Sequence, residues 1–155
     1  MCALTVRKLS PEELPLLFRM HEYRNHADML RRNAELLRGG KADFFVLFNG
    51  SEPIGELRAA YEADDERAVR GTRAYLYAFR VLERYRGRGL GTSLMTHVLV
   101  ALEAAGYTEF TVGVEDENDG AKRLYERFGF TELLCRKYEE YQGEGYEFNL
   151  YVRRK

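Results

Sequence analysis

Apolar and polar positions along this chain follow two periods, and glycine, proline and asparagine mark the places where one gives way to the other. Leu4–Leu9 reads as a short first strand. Ser10-Pro11-Glu12-Glu13 opens a helix, with a serine cap, proline at the first position and acids in the first turn. Helical spacing runs on, with a break near Asn25, to Leu37-Arg38, where Gly39-Gly40 stops it. Phe44–Phe48 and Ile54–Tyr61 read as two strands joined through Asn49-Gly50, a strong short-range hairpin signal. A charged loop from Glu62 to Gly71 follows, and then the aromatic and apolar run 74–82, which suits a buried strand. Leu94, Met95, Val98, Leu99 and Leu102 recur on one helical face, and Gly106 ends that helix. Residues 109–115 alternate, with Phe110, Val112 and Val114 on one side. Ala121, Leu124, Tyr125 and Phe128 return to helical spacing behind a candidate cap at Asn118, and Gly129 closes the helix before Phe130. Thr131–Tyr138 and Tyr146–Val152 complete the chain as two strands across a Gln142–Gly145 turn region. The order β-αα-βββ-α-β-α-ββ predicts an α/β (α+β) sandwich with a mixed, mostly antiparallel central sheet flanked by helices. At 155 residues the chain reads as a single domain, 1–155.

The first candidate chemistry lies between the 74–82 strand and the helix behind it. Residues 86–91 read Arg-Gly-Arg-Gly-Leu-Gly. A glycine-rich turn feeding a helix N-terminus leaves several backbone N–H groups pointing one way at the positive end of the helix dipole. Such a turn suits a pyrophosphate. The glycines let a ligand lie against the backbone, and Arg86 and Arg88 add charge. The turn lacks the lysine of an NTP-binding P-loop. Thr92 stands where a dinucleotide fold would place its third glycine. Taken alone, the segment also suits an Arg/Gly surface turn that only caps a helix.

The second segment decides between these. The strand, the Arg86–Gly91 turn, the helix, the next strand, Asn118-x-x-Ala121-x-x-x-Tyr125 and Phe128-Gly129-Phe130 together resemble the GNAT superfamily of acyl-CoA-dependent N-acetyltransferases. Arg86 to Gly91 correspond to its Arg/Gln-x-x-Gly-x-Gly/Ala turn. Asn118, Ala121, Leu124, Tyr125, Phe128, Gly129 and Phe130 correspond to its second motif. The resemblance is specific over residues 74–130 and pattern-level elsewhere. It implies acetyl-CoA as cosubstrate and transfer of the acetyl group to an amine. It also implies that Arg86, Gly87, Arg88, Gly89, Leu90, Gly91 and Thr92 hold the CoA pyrophosphate. The pantetheine would lie between splayed strands 74–82 and 109–115, on the backbone of Phe79, Arg80 and Val81. Asn118 would add a hydrogen bond to it, Tyr125 would protonate the departing thiolate, and the Val81 N–H would polarise the thioester carbonyl.

Each of these residues has a plainer role open to it. Asn118 is also a helix cap. Tyr125 shares an apolar stripe with Ala121, Leu124 and Phe128, where core packing is an ordinary fate. The general base is the weakest match: many relatives carry a carboxylate at the position that is Gly113 here, and a second placement falls on Tyr75. Glu115 is the first candidate base and Glu56 the second, with bulk water as the alternative to both. The acceptor amine is not identified by any residue pattern. The acids and tyrosines of the first helices and last hairpin suit a cation and suit a solvated surface equally.

Composition changes the picture only by exclusion. Hydrophobic content of 45% and charged content of 32% are ordinary for a globular chain. A net charge of −1 recruits neither nucleic acid nor membrane. No run reaches membrane-spanning length, and the N-terminus shows no secretory apolar region, so a cytoplasmic protein is expected. Cys2 and Cys135 read as free thiols, and His21, His26 and His97 form no metal-ligand pattern, so no metal is expected. A monomer or homodimer is expected. Two other classes remain open: a non-catalytic acyl-CoA sensor on the same fold, which the missing base favours, and a nucleic-acid-binding module, which the balanced charge disfavours.

Overall fold

The computed structural model describes residues 3–141 and 143–155, so Cys2 and Gln142 lie outside the described residues. The chain packs as two compact units, Met1–Ala60 with Ala78–Ala105, and Tyr61–Tyr77 with Gly106–Lys155. The strands, β1 (Leu4–Lys8), β2 (Ala42–Asn49), β3 (Glu52–Ala60), β4 (Arg73–Val81), β5 (Glu109–Val114), β6 (Glu132–Tyr141) and β7 (Glu144–Arg154), run in the order β1-β2-β3-β4-β5-β7-β6, with β4 belonging partly to each unit.

In the first unit, β1 (Leu4–Lys8), β2 (Ala42–Asn49) and β3 (Glu52–Ala60) pair antiparallel. Gly50 turns the β2–β3 hairpin with φ +61°, and a bulge between Leu47 and Phe48 lets Pro53 stand opposite Phe48. Residues 44–48 of β2 are all buried because both faces of the strand are covered. On one face Phe44, Val46 and Phe48 pack with Leu9, Leu14, Leu17 and Met29. Leu14 and Leu17 come from a 3₁₀ segment, Pro11–Arg19, and Met29 from α1 (His26–Arg38). The segment is 3₁₀ where an α-helix was expected, and Pro15 within it donates no N–H to the helical ladder. The Glu13 carboxylate accepts the Ser10 N–H at 3.0 Å, and Asn25 caps α1 by accepting the Asp28 N–H at 3.0 Å. α2 (Leu90–Ala104) packs on β2 and β3 through Leu94, Met95, Val98 and Leu102, each buried.

In the second unit, β4 pairs parallel with β5 (Glu109–Val114), and the ladder covers only Arg73–Tyr75 against Glu109–Thr111. β5 pairs with β7 (Glu144–Arg154), and β7 pairs with β6 (Glu132–Tyr141). This last hairpin is longer than its apolar alternation predicts. Cross-strand pairing extends to Tyr141 opposite Glu144, through positions whose charged side chains hide the period. α3 (Asp119–Arg127) follows β5 and packs on it. Among the described residues, no helix is long and apolar enough to cross a membrane.

Candidate active site

The glycine turn lies wholly in the first unit. β4 enters that unit at Ala78, which has φ +54°, a conformation uncommon outside glycine that interrupts the regular strand. Phe79, Arg80 and Val81 follow. The Leu82 N–H donates to the Ile54 carbonyl at 2.8 Å, and a short 3₁₀ turn, Glu83–Tyr85, leads to Arg86. Gly87 and Gly89 take φ +79° and +75°, and a Cβ on either would meet no protein atom within 4 Å. Glycine is therefore required there by backbone conformation and by whatever approaches from outside, not by internal packing. Gly89 is the cap of α2, and the Ser93 N–H donates to its carbonyl at 3.1 Å. Among the described residues, the N–H groups of Gly87 through Thr92 find no protein acceptor. Six adjacent amides at a helix N-terminus, on exposed or half-exposed residues apart from Leu90, form an anion cradle of the size a pyrophosphate needs.

The flanking side chains shape this cradle. Arg86 donates from Nε to the Val81 carbonyl at 2.9 Å, tying the turn back to β4. The Arg88 guanidinium stands 5.6 Å from the Tyr85 ring centre. Gly91 brings α2 close to β4: a Cβ there would sit 3.5 Å from Phe79 Cζ, an ordinary contact. The structure thus gathers Phe79, Arg80, Val81 and the whole of 86–92 at one end of one unit.

Beside the turn is a cleft of about 290 Å³, lined among others by Met20, His21, Gly55, Arg80, Val81 and Arg86. Glu56 is fully buried nearby. Its Oε1 accepts Arg80 Nε at 2.8 Å and lies 2.6 Å from Arg80 Nη2, while Oε2 meets Arg58 Nε at 3.4 Å. His21 Nε2 is 3.2 Å from Oε1, buried but poorly aligned for a hydrogen bond. Burial opposes ionisation of Glu56, yet His21 and the two guanidiniums overcome it and hold the carboxyl down to about 2. A carboxylate so stabilised is a poor base, so the geometry speaks against the second base candidate. It makes Glu56 the hub of an ion-pair cluster instead. Strand alternation places Glu56 and Arg58 on one face. Nothing local reveals that His21, 35 residues away, and Arg80, 24 residues away, converge on them.

The remaining candidates stand in the second unit. Asn118 Oδ1 accepts the Ala121 N–H at 3.1 Å, so the side chain caps α3 and stays exposed at its start. Tyr125 is half-buried on α3, its ring edge-on to Phe130 at 5.8 Å. Burial, with a smaller contribution from Tyr75, pushes its phenol up to about 12. That keeps the Tyr125 phenol protonated across the physiological range. Glu115 is exposed just beyond β5 and lines a second cleft, of about 200 Å³, with Tyr75, Gly113, Glu139, Tyr146 and Phe148. Tyr146 donates to Glu139 Oε2 at 2.9 Å, and Glu139 also pairs with Arg67. Among the described residues, Glu115 has no ion-pair partner. A Cβ at Gly113 would stand 2.9 Å from Phe148 Cδ2, so the ring fills the space in which a side chain at 113 would begin. Cys135 is a free thiol that burial and Glu66 push up to about 11, away from nucleophilic use.

Residues 5–130 match the acetyltransferase (GNAT) family. The chain belongs to that family. It is 33% identical over 86 residues to N-alpha-acetyltransferase MAK3 of Arabidopsis thaliana, covering 56% of this chain and 43% of that one. It is 31% identical over 81 residues to the 5-NmdU N-acetyltransferase of Pseudomonas phage PaMx11, covering 52% and 54%. The match spans about half the length of these relatives. Among solved structures it resembles Arabidopsis thaliana NAA60 in complex with acetyl-CoA, with a TM-score of 0.72, 21% identity and 98% of each chain covered. At that identity the likeness concerns the fold.

Proposed function

We propose that this GNAT acetyltransferase moves the acetyl group of acetyl-CoA to a primary amine by direct attack in a ternary complex. The observation that carries the reading is the open row of amides at Gly87–Thr92, placed at the N-terminus of α2 with two glycines at positive φ. An acetyl-CoA pyrophosphate fits a cradle of unpaired donors that lacks side chains on its open side. Arg86 and Arg88 supply charge, and the backbone of Phe79, Arg80 and Val81 takes the pantetheine amides as an added strand. Asn118 is assigned a further hydrogen bond to the pantetheine.

In the transfer, the amine nitrogen forms a bond to the thioester carbonyl carbon as the C–S bond breaks. The products are an N-acetyl amine and CoA. The first proton, lost by the ammonium before attack, passes to Glu115, directly or through water, and then to solvent; the second, lost by the nitrogen once the C–N bond has formed, is balanced by the proton that the departing thiolate takes up to become the CoA thiol. Tyr125 donates a hydrogen bond to the sulfur as negative charge gathers there. The Val81 N–H is assigned to the carbonyl oxygen.

The filled space at Gly113 supports a second reading, a non-catalytic acyl-CoA sensor. An array of amines, including peptides with free N-termini, amino acids, polyamines and aminoglycosides, separates the two when CoA release is followed at saturating acetyl-CoA. Turnover on at least one class is expected. On that acceptor Glu115→Gln removes the acidic limb of the pH–rate profile. Tight acetyl-CoA binding with no turnover on any class supports the sensor.

A further inference from the structure

The cleft of the first unit contains two polar groups to which the proposed transfer assigns no part, the Arg80 guanidinium and the His21 imidazole. Arg80 is clamped there through Nε and Nη2 by one oxygen of the fully buried Glu56, yet 40% of its side chain remains exposed. Among the described residues, its Nη1 has no partner. His21 Nε2 is buried beside the same carboxylate without a well-aligned hydrogen bond. Arg86 spends Nε on the Val81 carbonyl, and its two terminal nitrogens make no hydrogen bond or ion pair among the described residues. Glu83 is the opposing charge on the rim.

Burying a carboxylate is costly. Here that buried group holds a planar guanidinium at two nitrogens, and the arginine lines an open cleft of about 290 Å³. A rigid fork of this kind recognises a planar anion with little ordering cost. Arg80, Val81 and Arg86 belong also to the proposed cofactor site, so the cleft adjoins the cofactor, where an acceptor must lie, while the amides of Gly87 through Thr92 do not line it. We propose that the cleft holding Arg80 takes a carboxylate of the acetyl acceptor, so that the amines acetylated are amino-carboxylates. The proposal rests on the acetyltransferase reading above and deepens it by naming the acceptor's chemical class.

The test uses the product of such a reaction and its uncharged isostere. N-acetylglycine and N-acetylglycinamide are titrated into ¹⁵N-labelled, CoA-saturated protein at constant ionic strength, with the arginine Nε–Hε signals as readout. Inorganic phosphate is titrated in parallel. N-acetylglycine is expected to move the Arg80 signal saturably, at a concentration about tenfold or more below that of the amide. Arg80→Lys, followed like the wild type on the Arg86 Nε–Hε signal of the same cleft, keeps the charge, loses the fork and should weaken N-acetylglycine about tenfold. Equal behaviour of acid and amide, no response to either, or a response to phosphate alone overturns the proposal. So does an unchanged N-acetylglycine affinity in Arg80→Lys. If that variant does not fold, the comparison of acid and amide in the wild type decides alone. The melting shift produced by CoA is measured on the same samples. No shift removes the acetyltransferase reading itself, whereas a shift without N-acetylglycine binding removes only the carboxylate subsite.

Discussion

Replacing Tyr125 by phenylalanine removes one oxygen and leaves the ring where it packs, edge-on to Phe130 at 5.8 Å. The size of the expected effect follows from the phenol's surroundings. Burial pushes Tyr125 up to about 12, against a free thiol near 8.5, so complete proton transfer to the thiolate is uphill by roughly 3.5 units, or about 5 kcal/mol. The hydroxyl therefore acts chiefly as a donor to the developing charge. A hydrogen bond to a charged group contributes about 1.5–3 kcal/mol. Tyr125→Phe should lower kcat by roughly 10- to 150-fold, less than the loss of a general acid that transfers its proton fully. CoA affinity should hold, and stability should fall by no more than about 1.5 kcal/mol. The assay is CoA-thiol release at saturating acetyl-CoA, with single-turnover kinetics to show that chemistry limits the rate. A wild-type rate under those conditions refutes the role. A collapse of stability with no separate kinetic effect would make Tyr125 a packing residue.

Glu56→Gln tests the buried cluster. The folded-state pKa of Glu56 lies well below its ordinary 4.5, at about 2, so its contribution is present above pH 4.5 and is lost as pH falls through 2. That window corresponds to roughly 3 kcal/mol of wild-type stability, and the variant should lack this acid dependence while losing about 3–5 kcal/mol at pH 7. Denaturant unfolding as a function of pH checks both, and identical acid profiles would contradict the assignment. Gly113→Ala puts a methyl group 2.9 Å from a ring carbon of the buried Phe148 and should cost about 1–3 kcal/mol by overpacking. An unchanged melting temperature would show that Phe148 does not close that position.

What the sequence disclosed is what local chemistry governs. Gly87 and Gly89 adopt positive φ because the turn demands it, and Asn118 caps α3 through a neighbour three residues on. Both could be read from spacing alone. Long-range convergence could not. His21, Glu56, Arg58 and Arg80 come from three separate segments, and their meeting depends on β3 and β4 being laid side by side. Gly113 signalled a missing carboxylate, but the ring of Phe148 that occupies its space belongs to a strand 35 residues later. Helical periodicity over Pro11–Arg19 does not distinguish the 3₁₀ form from an α-helix, since both place Leu14 and Leu17 on one face.

The claim on which the rest depends is that the amides of Gly87–Thr92 hold a CoA pyrophosphate, and calorimetric titration of wild type and Gly89→Val with acetyl-CoA tests it most directly. Gly89 has φ +75° and open space beyond it, so valine brings about 1–3 kcal/mol of backbone strain and a side chain where the phosphates must lie. The prediction is saturable acetyl-CoA binding to the wild type, much weaker binding of ATP, and no measurable acetyl-CoA binding to a folded Gly89→Val. Full acetyl-CoA affinity in a folded Gly89→Val, or ATP binding as tightly as acetyl-CoA to the wild type, would contradict it.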